Sequence, residues 1–241
     1  MRNIFELKAR RGDDKWQSNP AFDRRHLRSI KLALRKAWDE LQQDREAAQE
    51  LSTQREERIS HLLRERLNNI RERETGGVDG YDCDTFERPH IGAEMTSPQG
   101  QIRKPDIVLG LSGRPRSGVT DSMTDSIFVE CKILAHGRQN VGLYCREGLS
   151  RFVTGAYSAW MREAMMVAYV RTTQTLPEAL EAVTSTKAAQ EALATNGEVK
   201  RCNLSRIEPR VYITVHERDW PYANDQGMPG PIEVRHLWLR V

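Results

Sequence analysis

Two short runs decide how this chain is read: KPDIVLG (residues 104–110) and, beyond a polar loop, IFVECKIL (residues 127–134). Both are compact apolar runs with the β-branched content of buried strands. Both also carry charge where charge is costly, Asp106 in the first and Glu130 and Lys132 in the second. Alternation along a strand puts Glu130 and Lys132 on one face and Cys131 on the other. If the two strands are neighbours, Asp106 stands beside Glu130. Two carboxylates at close range repel, and a hard divalent cation relieves them. Magnesium takes few protein oxygens, so Asp106, Glu130 and the backbone carbonyl of Cys131 make a sufficient set. Lys132 beside them could activate an attacking water or steady charge in a phosphoryl transition state. The alternative is a solvated edge strand whose Glu130 and Lys132 form a surface ion pair worth about 0–1 kcal/mol.

Upstream, residues 19–75 are rich in Arg, Glu, Gln, Leu and Ala, with no Gly and no Pro after Pro20. Leu27, Ile30, Leu34, Trp38 and Leu41 recur at helical spacing and share one face. A polar stretch, QQDREAAQE, follows. Thr53-Gln54-Arg55-Glu56 then reads as a capping box that opens a second helix, with Ile59, Leu62, Leu63, Leu67 and Ile70 inward and Gly76-Gly77 at its end. The expectation is two long helices, separate or continuous, the first an extension and the second part of the core. Residues 1–18 read as a polar, basic arm. The apolar stripe of the first helix has no partner in its own segment, which suggests a homodimer through the N-terminal helices or contact with another protein.

Downstream, FERPHIGAEM, a turn at SPQG and QIRKPDIVLGL suggest a hairpin. SRFVTGAYSAWMREAMMVAYVRT reads as a helix apolar on most faces and hence buried. TLPEALEAVTSTKAAQEALATNG reads as a more solvated helical stretch, and RVYITVHER and IEVRHLWLRV as closing strands. Helix, three strands, helix, then strands makes a mixed α/β domain.

Pro105-Asp106, a gap of 23 residues, then Glu130-Cys131-Lys132 resembles the PD-(D/E)xK motif of restriction-endonuclease-like nucleases. The resemblance runs from about residue 56 to 241. It implies a mixed central sheet flanked by helices, here with a long helical N-terminal extension: residues 1–52 as arm and extension, 53–241 as the nuclease-like domain. It implies magnesium (or manganese) on the two acids, Asp106 and Glu130, with Lys132 serving catalysis. The upstream helix of such proteins often adds an acid; Glu57 is the favoured candidate, ahead of Glu56 and Glu65. The phrase Arg151-Phe152 with Gly155 and Tyr157 resembles one in nucleases of prokaryotic defence, which implies that Arg151 and Tyr157 meet nucleic acid. His216 is a weaker contact of the same kind. The function implied is cleavage of DNA, with RNA as the alternative, in defence against foreign DNA and beside an ATPase or helicase. A nuclease-like module that binds without turnover is the other reading.

The remaining features have plainer explanations. Asp79, Asp82 and Asp84 crowd a glycine-containing loop but lack the spacing of a calcium loop. His216 and His236 sit in strand-like runs, where a hydrogen-bonded sheet histidine is the default. Trp160, Met161, Met165 and Met166 suit core filling. No P-loop, dinucleotide fingerprint, H-E-x-x-H or G-x-S-x-G is present. Composition agrees with a soluble, cytoplasmic protein: 241 residues, mean hydropathy −0.67, net charge +3, and four scattered cysteines without a C-x-x-C pair. No apolar run approaches a membrane span.

Overall fold

The computed structural model describes residues 19–73, 92, 95–96, 102–111, 125–135, 138–156, 159–202, 211–222 and 227–241. Three helices come first: α1 (Arg24–Gln43), α2 (Arg45–Thr53) and α3 (Glu56–Arg73). A small hairpin pairs β1 (Met95–Thr96) with β2 (Ile102–Arg103), and β3 (Ile107–Gly110) and β4 (Ser126–Leu134) follow. A continuous helical stretch contains α4 (Arg138–Leu143), a π-helical segment (Tyr144–Leu149) and α5 (Ser150–Val153), leading to β5 (Glu163–Val170). The chain closes with α6 (Leu176–Thr184), α7 (Lys187–Ala192), β6 (Lys200–Arg201), β7 (Val211–His216) and β8 (Ile232–Arg240).

These elements build an α/β structure around a mixed six-stranded sheet of order β3-β4-β5-β8-β7-β6. The three central strands, β4, β5 and β8, run parallel, and the flanking strands pair antiparallel. Alternate side chains of the sheet feed two cores. One face packs on α1, α2 and α3 through Val129, Cys131, Val167, Tyr169 and Leu237. The other packs on the α4–α5 stretch and α6 through Phe128, Leu134, Met166, Ala168 and Val234.

The stripe of α1 is buried as its spacing predicts, and its partner is the sheet: Leu27, Ile30, Leu34, Trp38 and Leu41 share a core with β5 and β8. Trp38 stacks on Tyr169 with ring centroids 5.4 Å apart and donates its Nε1–H to the Arg240 carbonyl at 2.7 Å. The polar stretch after α1 is itself helical, because the Asp44 carboxylate caps the amides of Glu46 and Ala47 while Ala47 and Leu51 turn inward. The capping box is therefore corrected. Thr53 ends α2 and its hydroxyl donates back to the Gln49 carbonyl.

A larger correction concerns residues 150–172, which read as one buried helix. The helix stops at Val153; Gly155 follows at φ +72°, in a left-handed conformation with the Trp220 ring against its Cα, where a Cβ would lie 2.4 Å from the ring. EAMMVAYV then forms β5, with all eight residues buried between two parallel neighbours. A strand covered on both faces is apolar at every position, as a buried helix is, so periodicity does not separate them. The two closing strands and the solvated helical stretch (as α6 and α7) stand where their sequences suggested. Of the expected hairpin, Met95–Thr96 pairs with Ile102–Arg103, the turn at 97–100 lies outside the described residues, and Ile107–Gly110 pairs with β4 instead. Among the described residues, no helix is long and apolar enough to cross a membrane.

Candidate functional site

The site forms where the outer strand β3 begins and β4 runs on past it. Their antiparallel register sets Ile107 opposite Val129, so one step further along Asp106 stands opposite Glu130. Pro105 has no amide proton to give a ladder, and it is buried just where the ladder ends. Beyond that point, among the described residues, the amides of Cys131 and Ile133 have no strand partner on this side. Two carboxylates take them instead. Asp106 Oδ2 accepts from Cys131 N–H at 2.7 Å, and Glu56 Oε2 accepts from Ile133 N–H at 3.1 Å. Glu56 comes from the first turn of α3, a helix end that favours negative charge.

Lys132 closes the cluster. Its Nζ lies 2.7 Å from Glu130 Oε1, 2.7 Å from Glu56 Oε1 and 2.8 Å from the Cys131 carbonyl oxygen. Arg151, on α5, donates to the same Glu130 Oε1. The π-helical segment lies along β4 and brings glycine, not a larger residue, to position 148, where a Cβ would sit 2.5 Å from Met166 Cε and 3.4 Å from Lys132 Cγ. From the other side Arg64 of α3 donates to the Asp106 backbone carbonyl at 3.0 Å.

Among the described residues, three carboxyl groups (Asp106, Glu130, Glu56) meet Lys132 and Arg151, with the Arg64 guanidinium on the Asp106 backbone, and Glu130 is wholly buried. Burial and the neighbouring Glu130 push the Asp106 carboxyl up to about 7, against the pull of the Cys131 amide. Burial alone would lower the Lys132 ammonium, but Glu130 and Glu56 beside it outweigh that and raise it, so it stays charged. The Cys131 thiol points to the opposite face, where burial holds it far above its ordinary value and leaves it inert.

Of the residues singled out from sequence, Asp106, Glu130, Lys132, the Cys131 backbone and Arg151 are brought together. Glu57 is exposed on α3, outside the cluster; the acid of that helix that reaches β4 is Glu56. Spacing could have indicated this, because Glu56 shares the inward stripe of Ile59, Ser60 and Leu63 (i, i+3, i+4, i+7), whereas Glu57 lies off it. Arg64 carried no such signal. His216 is fully buried: its Nδ1 meets the Leu193 carbonyl at 2.8 Å and its Nε2 meets Thr214 Oγ1 at 2.6 Å. The same hydroxyl meets His236 Nε2 at 2.8 Å, and His236 Nδ1 meets Tyr144 OH at 2.7 Å. This relay stitches β7 and β8 to the π-helical segment and has no solvent-facing group. Tyr157 and the aspartates at 79, 82 and 84 lie outside the described residues, as do residues 1–18 and Gly76-Gly77.

Among the described residues, no three His, Cys, Asp or Glu side chains converge as a ready-made metal cage. The oxygens that do gather are hard donors, two carboxylates and a carbonyl. That donor set fits a small divalent cation that keeps most of its water. A cleft of about 520 Å³ between α1, α6 and β8, lined by Trp38, Pro177, Tyr212 and Trp238, shares no residue with this cluster. Compared with family models, with curated proteins and with solved structures, the chain has no match.

Proposed function

We propose that this chain is a magnesium-dependent nuclease of the restriction-endonuclease-like, PD-(D/E)xK kind, hydrolysing phosphodiester bonds of DNA in defence against foreign DNA. The observation that carries the reading is Asp106 set opposite Glu130, with the Lys132 ammonium on Glu130. Asp106, Glu130 and the Cys131 carbonyl would hold the metal, with manganese as an acceptable substitute. Bound there, it would lower the pKa of a coordinated water and offset charge on the phosphate. Glu130 is buried, and Arg151 and Lys132 hold its carboxylate. Asp106 is held by the Cys131 amide, so its orientation is set before any ligand arrives. Lys132 supplies the positive charge for the transition state or the attacking water. Arg151, about a third exposed, can meet a phosphate at the mouth of the cluster. The choice of DNA, the defence role and an ATPase or helicase partner rest on the motif resemblance alone.

A second reading, a nuclease-like module that binds nucleic acid without cutting it, draws on one observation: Lys132 already occupies the place between the carboxylates. One experiment separates the two. The purified chain is incubated with supercoiled plasmid, linear duplex, single-stranded DNA and RNA, with Mg²⁺ and with chelator. The nuclease reading expects Mg²⁺-dependent loss of intact DNA. Binding without turnover, unchanged by chelator, would favour the module, and loss of RNA alone would redirect the substrate.

A further inference from the structure

We propose that Lys132, which shares Glu130 Oε1 with Arg151, is a resident cation of the acidic cluster, and that a divalent cation enters by exchange with it, turning the lysine out of the carboxylates as it binds. This rests on the reading that Asp106 and Glu130 hold a metal. An ammonium has three N–H donors. Lys132 donates to Glu56 Oε1 and the Cys131 carbonyl at 2.7 and 2.8 Å and stands 2.7 Å from Glu130 Oε1 as an ion pair. A lysine so engaged is turned into the carboxylates and not toward a phosphate oxygen or a water, so this arrangement is a resting one.

Two of the three acceptors, Glu130 Oε1 and the Cys131 carbonyl, are oxygens that a metal at this edge would use. A divalent cation and an ammonium at that range repel one another, so both cannot keep the same oxygens. Glu56 is the acceptor that need not be surrendered, because its second oxygen is fixed on the Ile133 amide. Exchange therefore leaves Lys132 held by Glu56 and released from Glu130 and the Cys131 carbonyl, and the lysine becomes available only when the cation is in place. Glu56 is on this account a positioning residue. It keeps the released lysine at the site.

The full chain tests this in two ways, neither of which reads cleavage. Mn²⁺ binding is titrated by calorimetry, without nucleic acid, for the wild type and for Lys132→Met, which keeps the stem and removes the competing charge. The expected result is binding about tenfold tighter in the variant, the size of effect a single close like charge has on a site. Equal or weaker binding overturns the exchange. In the wild type, reductive methylation of Lys132 is followed by mass spectrometry in chelator and in Mn²⁺. Protection in chelator and labelling in Mn²⁺ is expected, and equal labelling overturns it; this arm decides the matter if Lys132→Met does not fold. Asp106→Ala and Glu130→Ala separate the two levels. If both bind Mn²⁺ as the wild type does, the metal-site reading itself fails. If both lose binding while Lys132→Met gains nothing, only the exchange fails.

Discussion

Replacing Asp106 by Asn should stabilise the metal-free protein at neutral and alkaline pH. Burial together with the neighbouring Glu130 raises this carboxyl to about 7 from an ordinary 3.8. Between those two pH values the folded chain holds a proton that the unfolded chain has released. Stability from this group is therefore greatest below about pH 4, declines as pH rises, and is flat above about pH 7. At about 1.4 kcal/mol per unit, the full interval corresponds to roughly 4 kcal/mol. Water reaching a partly exposed carboxyl and local adjustment reduce the expected effect to about 2 kcal/mol. Asn keeps the oxygen that accepts the Cys131 amide and removes the charge, so the difference isolates the electrostatic cost. The assay is urea unfolding in chelator, followed by tryptophan fluorescence, for both proteins from pH 4 to pH 8. The stability difference should be near zero at pH 4 and reach about 2 kcal/mol in favour of the Asn variant at pH 8. A difference independent of pH, or an Asn variant less stable at pH 8, would refute the cost of burying this carboxyl beside Glu130. Added Mg²⁺ should reverse the order, because only the wild type gains a ligand.

Two further outcomes follow from the packing. A chain lacking residues 1–52 should show no cooperative unfolding transition. A single buried leucine such as Leu34 is worth about 2–5 kcal/mol on truncation to Ala, and the whole α1 stripe exceeds the ~5–15 kcal/mol that holds a domain together; a folded 53–241 fragment by near-ultraviolet circular dichroism would contradict this. Burial lowers His216 to about 4 and His236 to about 3, so both stay neutral in the folded chain while the unfolded chain gains protons below about 6.5. Stability should fall as pH drops from about 6.5 toward 4. His216→Gln and His236→Gln should each make that slope shallower, which the same unfolding series measures.

Legibility in the sequence followed the physics of each segment. Strand β4 was plain because a short apolar run interrupted by Glu130 and Lys132 suits a buried strand. The α1 stripe was equally plain, but its partner was not. Nothing local shows that Leu34 and Trp38 meet Tyr169, about 130 residues away in the chain. Strand β5 was hidden because a run apolar from Ala164 to Val170 carries no period once both faces are covered. Thr53 satisfied the capping rule on paper, yet Asp44 had already started a helix that ends there. At the site, the pairing of Asp106 with Glu130 needed only adjacent strands. Glu56 was ranked behind Glu57, yet it is Glu56 that reaches across to β4. The π-helical segment and Arg64 depend on tertiary fit and left no sequence mark.

Cleavage of supercoiled plasmid by the wild type and by Asp106→Asn, side by side in Mg²⁺, addresses the proposed activity most directly. Asn preserves the hydrogen bond and the fold, so any loss is assignable to the missing carboxylate. The account predicts nicking or linearisation by the wild type that chelator abolishes, and a rate in the variant lower by on the order of 100-fold or more. A variant that cuts as fast as its parent, or a parent that leaves every plasmid intact in Mg²⁺ and Mn²⁺ alike, would contradict it.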